Sequence, residues 1–185
     1  ATAKFIIGIV SVITLAVACN SNSRKSIEYE DFTLEQIDSL KRIECDTLLS
    51  EMRKIKADTF IKVNSVPENY EESLVILDSM MNPKMKEWIK CLPDREFGVY
   101  VHHGFGTYLR NNWELWGNSK LTENLSGMGI FHPDDMSAII LDSYQRKLKG
   151  EAIRIEEQLK FYQDYWRENG VPVDSILNEL KNKEK

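Results

Sequence analysis

The sequence predicts a mainly α-helical protein, a small single-domain helical bundle behind an N-terminal signal or lipid-anchor segment and a polar tether. Two observations carry that expectation. Apolar residues recur at three- and four-residue intervals through most of the chain after Asp31, the period of a helix with one buried face. Period-two alternation over strand length occurs only from Phe97 to Val101. At 185 residues the chain has room for one domain plus appendages. A net charge of −5 and the absence of any long basic run argue against nucleic acid as a partner, because binding phosphates needs a clustered positive face.

Residues 1–18 read as a secretory signal. Lys4 supplies a short positive start, Phe5 to Val17 is uncharged and mostly apolar, and small residues lead into Cys19. That run is shorter than the ~20 residues of a comfortable membrane span. The sequence Leu15-Ala16-Val17-Ala18-Cys19 resembles the lipobox of bacterial lipoproteins, with Ala16 where leucine is usual and Leu15 one place earlier. The resemblance implies a lipid on Cys19, a membrane as partner through that anchor, and a place in the cell envelope, in the periplasm or at the outer membrane. A plain signal peptide or an uncleaved anchor is the alternative. Residues 19–30 are a tether whose start, Asn20 to Ser26, is wholly polar.

The N-terminal helix is expected over 31–58, with Thr33 as N-cap and Ile37, Leu40, Leu48, Met52 and Ile55 at helical spacing. The domain proper is expected over 64–182. A second helix runs from Pro67 to Met81 and ends at Asn82-Pro83, since the residue before proline avoids the helical region. Met85 to Cys91 adds a short helical piece. Ser119 to Leu125 is another, and Pro133 opens a helix that ends near Gly150, with Asp134 and Asp135 at its positive end and Arg146, Lys147 and Lys149 at its negative end. The next, Glu151 to Asn169, places Ile155, Leu159, Tyr162 and Trp166 on one face and is capped by Gly170. Val173 to Leu180 is the last. Cys45 and Cys91 stay open between a disulfide and two buried thiols.

Chemistry concentrates between Phe97 and Ser137, which holds all three histidines and two of the four tryptophans. Phe97 to Trp116 reads as one helix. Phe97, Val101, Phe105, Tyr108, Leu109, Leu115 and Trp116 form its apolar arc, and Asn112 falls inside that arc, so a regular helix would bury it. His103, Gly106, Arg110 and Trp113 form a second stripe, with a gap at Gly106 that leaves room for a ligand atom or a close neighbour. Arg110 pairs with Asp134 or Asp135, or clamps an outside oxyanion. Trp113 beside it, if exposed, suits a partner surface.

The binding candidates are therefore His102, His103, Arg110, Trp113, His132, Asp134 and Asp135. If the protein is an enzyme, His103, His132 and Asp135 are the catalytic candidates, with Arg110 beside them. The same three could ligate a metal, imidazole and carboxylate being zinc and iron donors. The spacing HEXXH is missing, a GxSxG nucleophile turn is missing, and Gly104 to Leu109 lacks the third glycine of a nucleotide loop, so no cofactor is expected. His102 to Trp116, followed by Gly129 to Gly150, resembles a bacterial family known only as a domain of unknown function. The likeness covers roughly Val66 to Leu148 and rests on His103, Gly104, Gly106, Arg110, Asn111, Trp113, Leu115 and Trp116, then His132 to Ser137. It implies a compact helical module and no substrate. The resulting expectation is an exported lipoprotein that binds an envelope protein or glycan; a metal-assisted hydrolase and a self-associating structural protein are the alternatives.

Overall fold

The structure is a computed structural model that describes residues 33–52 and 60–183. The signal segment, Cys19, the tether and the end of the helix expected over 31–58 lie outside the described residues. Among the described residues the secondary structure is helix and turn with no strand, so the chain is mainly α-helical as its periodicity predicts. It divides into two compact units, residues 1–44 and 45–185. In the first, α1 (Leu34–Met52) opens on a capping box: the Gln36 N–H donates to Thr33 Oγ1 at 3.3 Å and the Thr33 N–H donates to Gln36 Oε1 at 2.8 Å.

The second unit contains the cysteine pair, and Cys45 is bridged to Cys91. The bridge closes a loop with a sequence separation of 46, for which lost chain entropy contributes about 4 kcal/mol. Reductant should therefore lower the thermal midpoint by roughly 10 °C; a midpoint that does not move would contradict this.

The helices of this unit start and stop where local chemistry dictates. Asn69 caps α2 (Tyr70–Met80) by accepting from the Glu72 N–H, and Asn82 caps α3 (Pro83–Cys91) by accepting from the Met85 N–H. The stretch from Phe97 is helical in α4 (Glu96–Val101), so its period-two pattern does not mark a strand. Ser119 caps α6 (Lys120–Gly127). His132 caps α7 (Pro133–Lys149), which ends on Gly150 in the left-handed region at φ 72°. The helix expected from Glu151 begins later, as α8 (Ile155–Glu168), because Arg154 takes φ 54° and breaks the helical path. The last helix, α9, spans Val173–Lys183.

At the centre lies α7. Met136, Ile139, Ile140, Leu141 and Tyr144 are buried along it, together with the polar Ser137, Asp142, Ser143 and Gln145. A helix buried round most of its circumference must satisfy its polar groups inside the protein. Tyr144 donates to Asp78 Oδ1 on α2 at 3.0 Å, and the Gln145 amide donates to the carbonyls of Leu92 and Pro93 at 3.1 and 2.8 Å. These bonds join α7 to α2 and to the turn between α3 and α4.

The one regular helix expected over Phe97–Trp116 is corrected. Between α4 and α5 (Thr107–Asn112) the backbone widens into a π-turn, His102–Gly106. Phe97, Val101, Phe105, Leu109 and Trp113 are all buried, a strict four-residue spacing. On an undistorted helix that stripe would drift by roughly 160° from end to end. A π-turn inserts one extra residue and so turns everything beyond it by about 100°. Trp113 is thereby brought fully inside at 0% exposure, which rules it out as a partner surface. Asn112 swings outward and donates to its own Tyr108 carbonyl at 2.8 Å, and Trp116, placed on the apolar arc by the sequence, is 60% exposed.

Candidate functional site

Arg110 reaches back into the π-turn. Its Nη2 donates to the His102 carbonyl at 3.2 Å and to Thr107 Oγ1 at 3.1 Å, and its Nη1 donates to Ser137 Oγ at 3.0 Å. Its Nε lies 2.9 Å from Asp134 Oδ1, an ion pair not aligned as a hydrogen bond. Arg110 is 5% exposed and so offers no clamp to an outside oxyanion. Of the two readings of its sequence, the internal pair with Asp134 holds. Gly106 makes the room: a Cβ there would stand 3.1 Å from Arg110 Nη1 and 3.3 Å from the Val101 carbonyl.

This buried guanidinium ties the π-turn to the first turn of α7, and between the two walls lies an open cleft of about 540 Å³. Arg95, Gly98, His102 and His103 line one wall; Asp134, Asp135, Ala138 and Asp142 line the other. Arg95, Gly98 and His102 on one wall and Asp135, Ala138 and Asp142 on the other recur every three or four residues, and the two run in opposite directions, with Arg95 beside Asp142 at one end. Gly98 and Ala138 stand between, and small residues there leave the space that larger ones would fill. Gly98 also lets Asp142 approach the backbone, since a Cβ would lie 2.9 Å from Asp142 Oδ1.

His102 and His103 pack edge to face at 4.7 Å between ring centres. His132 stays outside the cleft lining. It accepts the Asp134 N–H on Nδ1 at 3.2 Å, and its ring stands between Trp116 and Trp166, 6.1 and 5.5 Å away. Asp135 accepts a 2.7 Å bond from the Trp166 indole N–H. Burial pushes the Asp135 carboxyl up from its ordinary value, and Trp166 and His132 hold back part of that rise. Among the described residues no three His, Cys, Asp or Glu side chains stand close enough together to hold a metal ion.

Asp142, Arg95 and Tyr162 were not singled out from the sequence. Asp142 is 6% exposed and takes Arg95 Nε on Oδ2 at 3.3 Å. Burial raises its carboxyl to about 6 against the pull of Arg95 and Arg146. The Tyr162 hydroxyl is pushed up to about 12 by burial and by the charge of Asp142. The available signal was Asp135-Ala138-Asp142, one helix face bearing two carboxylates around a small residue, opposite Arg95-Gly98-His102.

A raised carboxyl binds its proton more tightly in the folded state. Asp142 therefore adds up to about 3 kcal/mol of stability when protonated, fully present below the unfolded value near 4 and lost as pH rises through 6. Urea midpoints should climb as pH falls from 7 to about 4, and Asp142→Asn should flatten that rise. Parallel wild-type and variant curves would contradict it. The Asp78 and Asp94 carboxyls work the other way, Asp94 being held down by Lys149 and Asp78 by Lys86 and Tyr144 against its partial burial.

No curated protein and no solved structure matches the chain. The matched family span takes in both walls of the cleft and the whole π-turn but stops ahead of α8, which contributes Tyr162. Residues 66–148 match the family model of a domain of unknown function, DUF6794.

Proposed function

We propose that the chain is an exported binding module of the bacterial cell envelope, tethered to a membrane through a lipid on Cys19, whose ligand occupies the cleft between the π-turn and α7. One observation carries the binding reading. His102, His103, Asp134 and Asp135 come from two separate elements to wall a single concave space, of the ~300–1,000 Å³ typical of small-molecule sites. Carboxylates and imidazoles together accept from and donate to hydroxyl groups. The rings of Trp116, His132 and Trp166 cluster beside the carboxylate wall, Trp116 edge-on to His132. That combination suits a glycan better than a flat protein surface. The cysteine bridge supports export, since such bonds persist in oxidising compartments. Among the described residues no helix is long and apolar enough to cross a membrane, and the tether reading assigns that contact to Cys19.

The test is a titration with a panel of soluble oligosaccharides, following the Trp166 indole and the His102 and His103 ring signals by NMR. A saturable shift of these signals, weakened at least tenfold in His103→Ala, is expected. Saturable binding whose shifts map elsewhere, or no saturation with any member, would contradict the reading. For the anchor, mass spectrometry of membrane-extracted protein should find a lipid-modified Cys19 as first residue, and a chain retaining residues 1–18 would contradict it.

A second reading, an acid–base enzyme, is favoured by Asp142, a cleft carboxylate held near neutral pH. Asp142→Asn would then abolish turnover of a bound oligosaccharide while leaving its binding intact, and the product analysis that shows turnover also separates the two readings.

A further inference from the structure

Beyond the Asp142–Arg95 pair the cleft continues into a narrower arm of about 180 Å³ between α7 and α8. Three guanidinium groups line it: Arg95 ahead of α4, Arg146 on α7 and Arg154 at the entry to α8. In a chain of net charge −5 such a gathering is notable, and its charges are met unevenly. Arg95 is engaged, with Nε on Asp142 at 3.3 Å and its plane 4.5 Å over the Phe161 ring. Arg146 stands 3.5 Å from Asp94 and 3.9 Å from Glu151, and Arg154 stands 3.9 Å from Glu157, all beyond the ~3.2 Å reach of an N–H···O bond. The Arg146 side chain is only 14% exposed, so its charge is screened less than that of a fully exposed arginine.

The backbone gives an independent indication. Arg95 and Arg154 take φ 66° and 54°, two of the three non-glycine left-handed residues among those described. Both belong to this one pocket. Strained backbone persists where the surroundings impose it, and it gathers at sites that must aim a side chain. Within the arm Asp142 is engaged by Arg95 and Glu157 stands beside Arg154, while Asp94 and Glu151 flank Arg146 from outside its lining.

We infer that this arm is an anion subsite, which takes a carboxylate or phosphate group of a small soluble ligand between Arg146 and Arg154 while Phe161 and Tyr162 cover the ligand's carbon atoms. Guanidinium forks match the planar spacing of two oxyanion oxygens. A space equal to about six waters of bulk liquid admits such a group with a few attached atoms and excludes a bulky one. The inference names a chemistry for one end of the cleft ligand. It rests on the binding reading only in that cleft and arm share Arg95, Asp142 and Tyr162.

The test is an NMR titration of the purified chain at low ionic strength with inorganic phosphate, and separately with acetate, following the arginine Nε–H signals. Saturable shifts of Arg146 and Arg154 are expected with at least one of the two anions. Arg154→Gly should weaken that binding at least tenfold while its thermal midpoint stays equal or rises, because glycine accepts the left-handed backbone that arginine resists. Arg154 is 56% exposed on its side chain, so failure to fold is not expected; Arg146→Gln, checked by its melting curve, is the second variant. Shifts that grow linearly without saturation, or an affinity unchanged in Arg154→Gly, would overturn the proposal. Saturation of the arm by phosphate with no oligosaccharide moving His102 or His103 would sink the glycan reading and leave the anion subsite standing.

Discussion

Arg110→Met is expected to lower unfolding free energy by about 3–5 kcal/mol, the range seen when one partner of a buried ionic network is removed. Total stability of such a domain is roughly 5–15 kcal/mol, so the variant sits near the edge of folding. The loss has several parts. The His102 carbonyl in the π-turn loses its guanidinium donor; Ser137 loses one at 3.0 Å; and Asp134 loses its ion pair at 2.9 Å. Arg110→Lys keeps the charge but offers one point of donation where four groups are reached, and should recover under half of the loss. Urea unfolding of the three proteins measures this. A methionine variant within about 0.5 kcal/mol of the parent would mean that the guanidinium holds nothing together.

Trp113→Ala should cost a similar amount, about 3–5 kcal/mol, through the cavity left by a large side chain with no exposed surface. Trp113→Phe is the more informative partner. The indole N–H has no hydrogen-bond partner among the described residues, and a buried donor left unpaired is costly in itself. Phenylalanine removes that donor along with some volume, so its cost should fall well below that of alanine. Equal costs for the two variants, read from the same urea curves, would show that the ring is not packed as described.

Helices were legible in the sequence wherever a cap or a breaker marks them. Asn82-Pro83, His132-Pro133 and Gly150 each mark a helix end that the structure keeps. The π-turn was not legible to a reading at 100° per residue, because one inserted residue reverses the sense of every position beyond it. Asn112 and Trp116 were misassigned for that single cause. The four-residue spacing from Phe97 to Trp113 was the overlooked sign, since an undistorted helix cannot keep such a stripe on one side.

The candidate site was legible in part. His102, His103, Asp134 and Asp135 do meet across one cleft, as their gathering in one stretch of chain suggested. Arg110 belongs to the frame behind it, and His132 to the cap of α7. Asp142 and Arg95 were missed because the pattern they belong to, Asp135-Ala138-Asp142 opposite Arg95-Gly98-His102, shows itself only once the two segments are paired. Only the antiparallel crossing of α4 and α7 brings them to 3.3 Å.

The signature thus separates into residues that hold the frame, Arg110, Gly106 and Trp113, and residues that face the cleft. Urea unfolding of His103→Ala beside Arg110→Met tests that separation most directly. His103 is exposed on the cleft wall, so its variant is predicted to stay within about 0.5 kcal/mol of the parent while Arg110→Met loses several times as much. A loss from His103→Ala as large as that from Arg110→Met would make the histidine part of the frame and contradict the division.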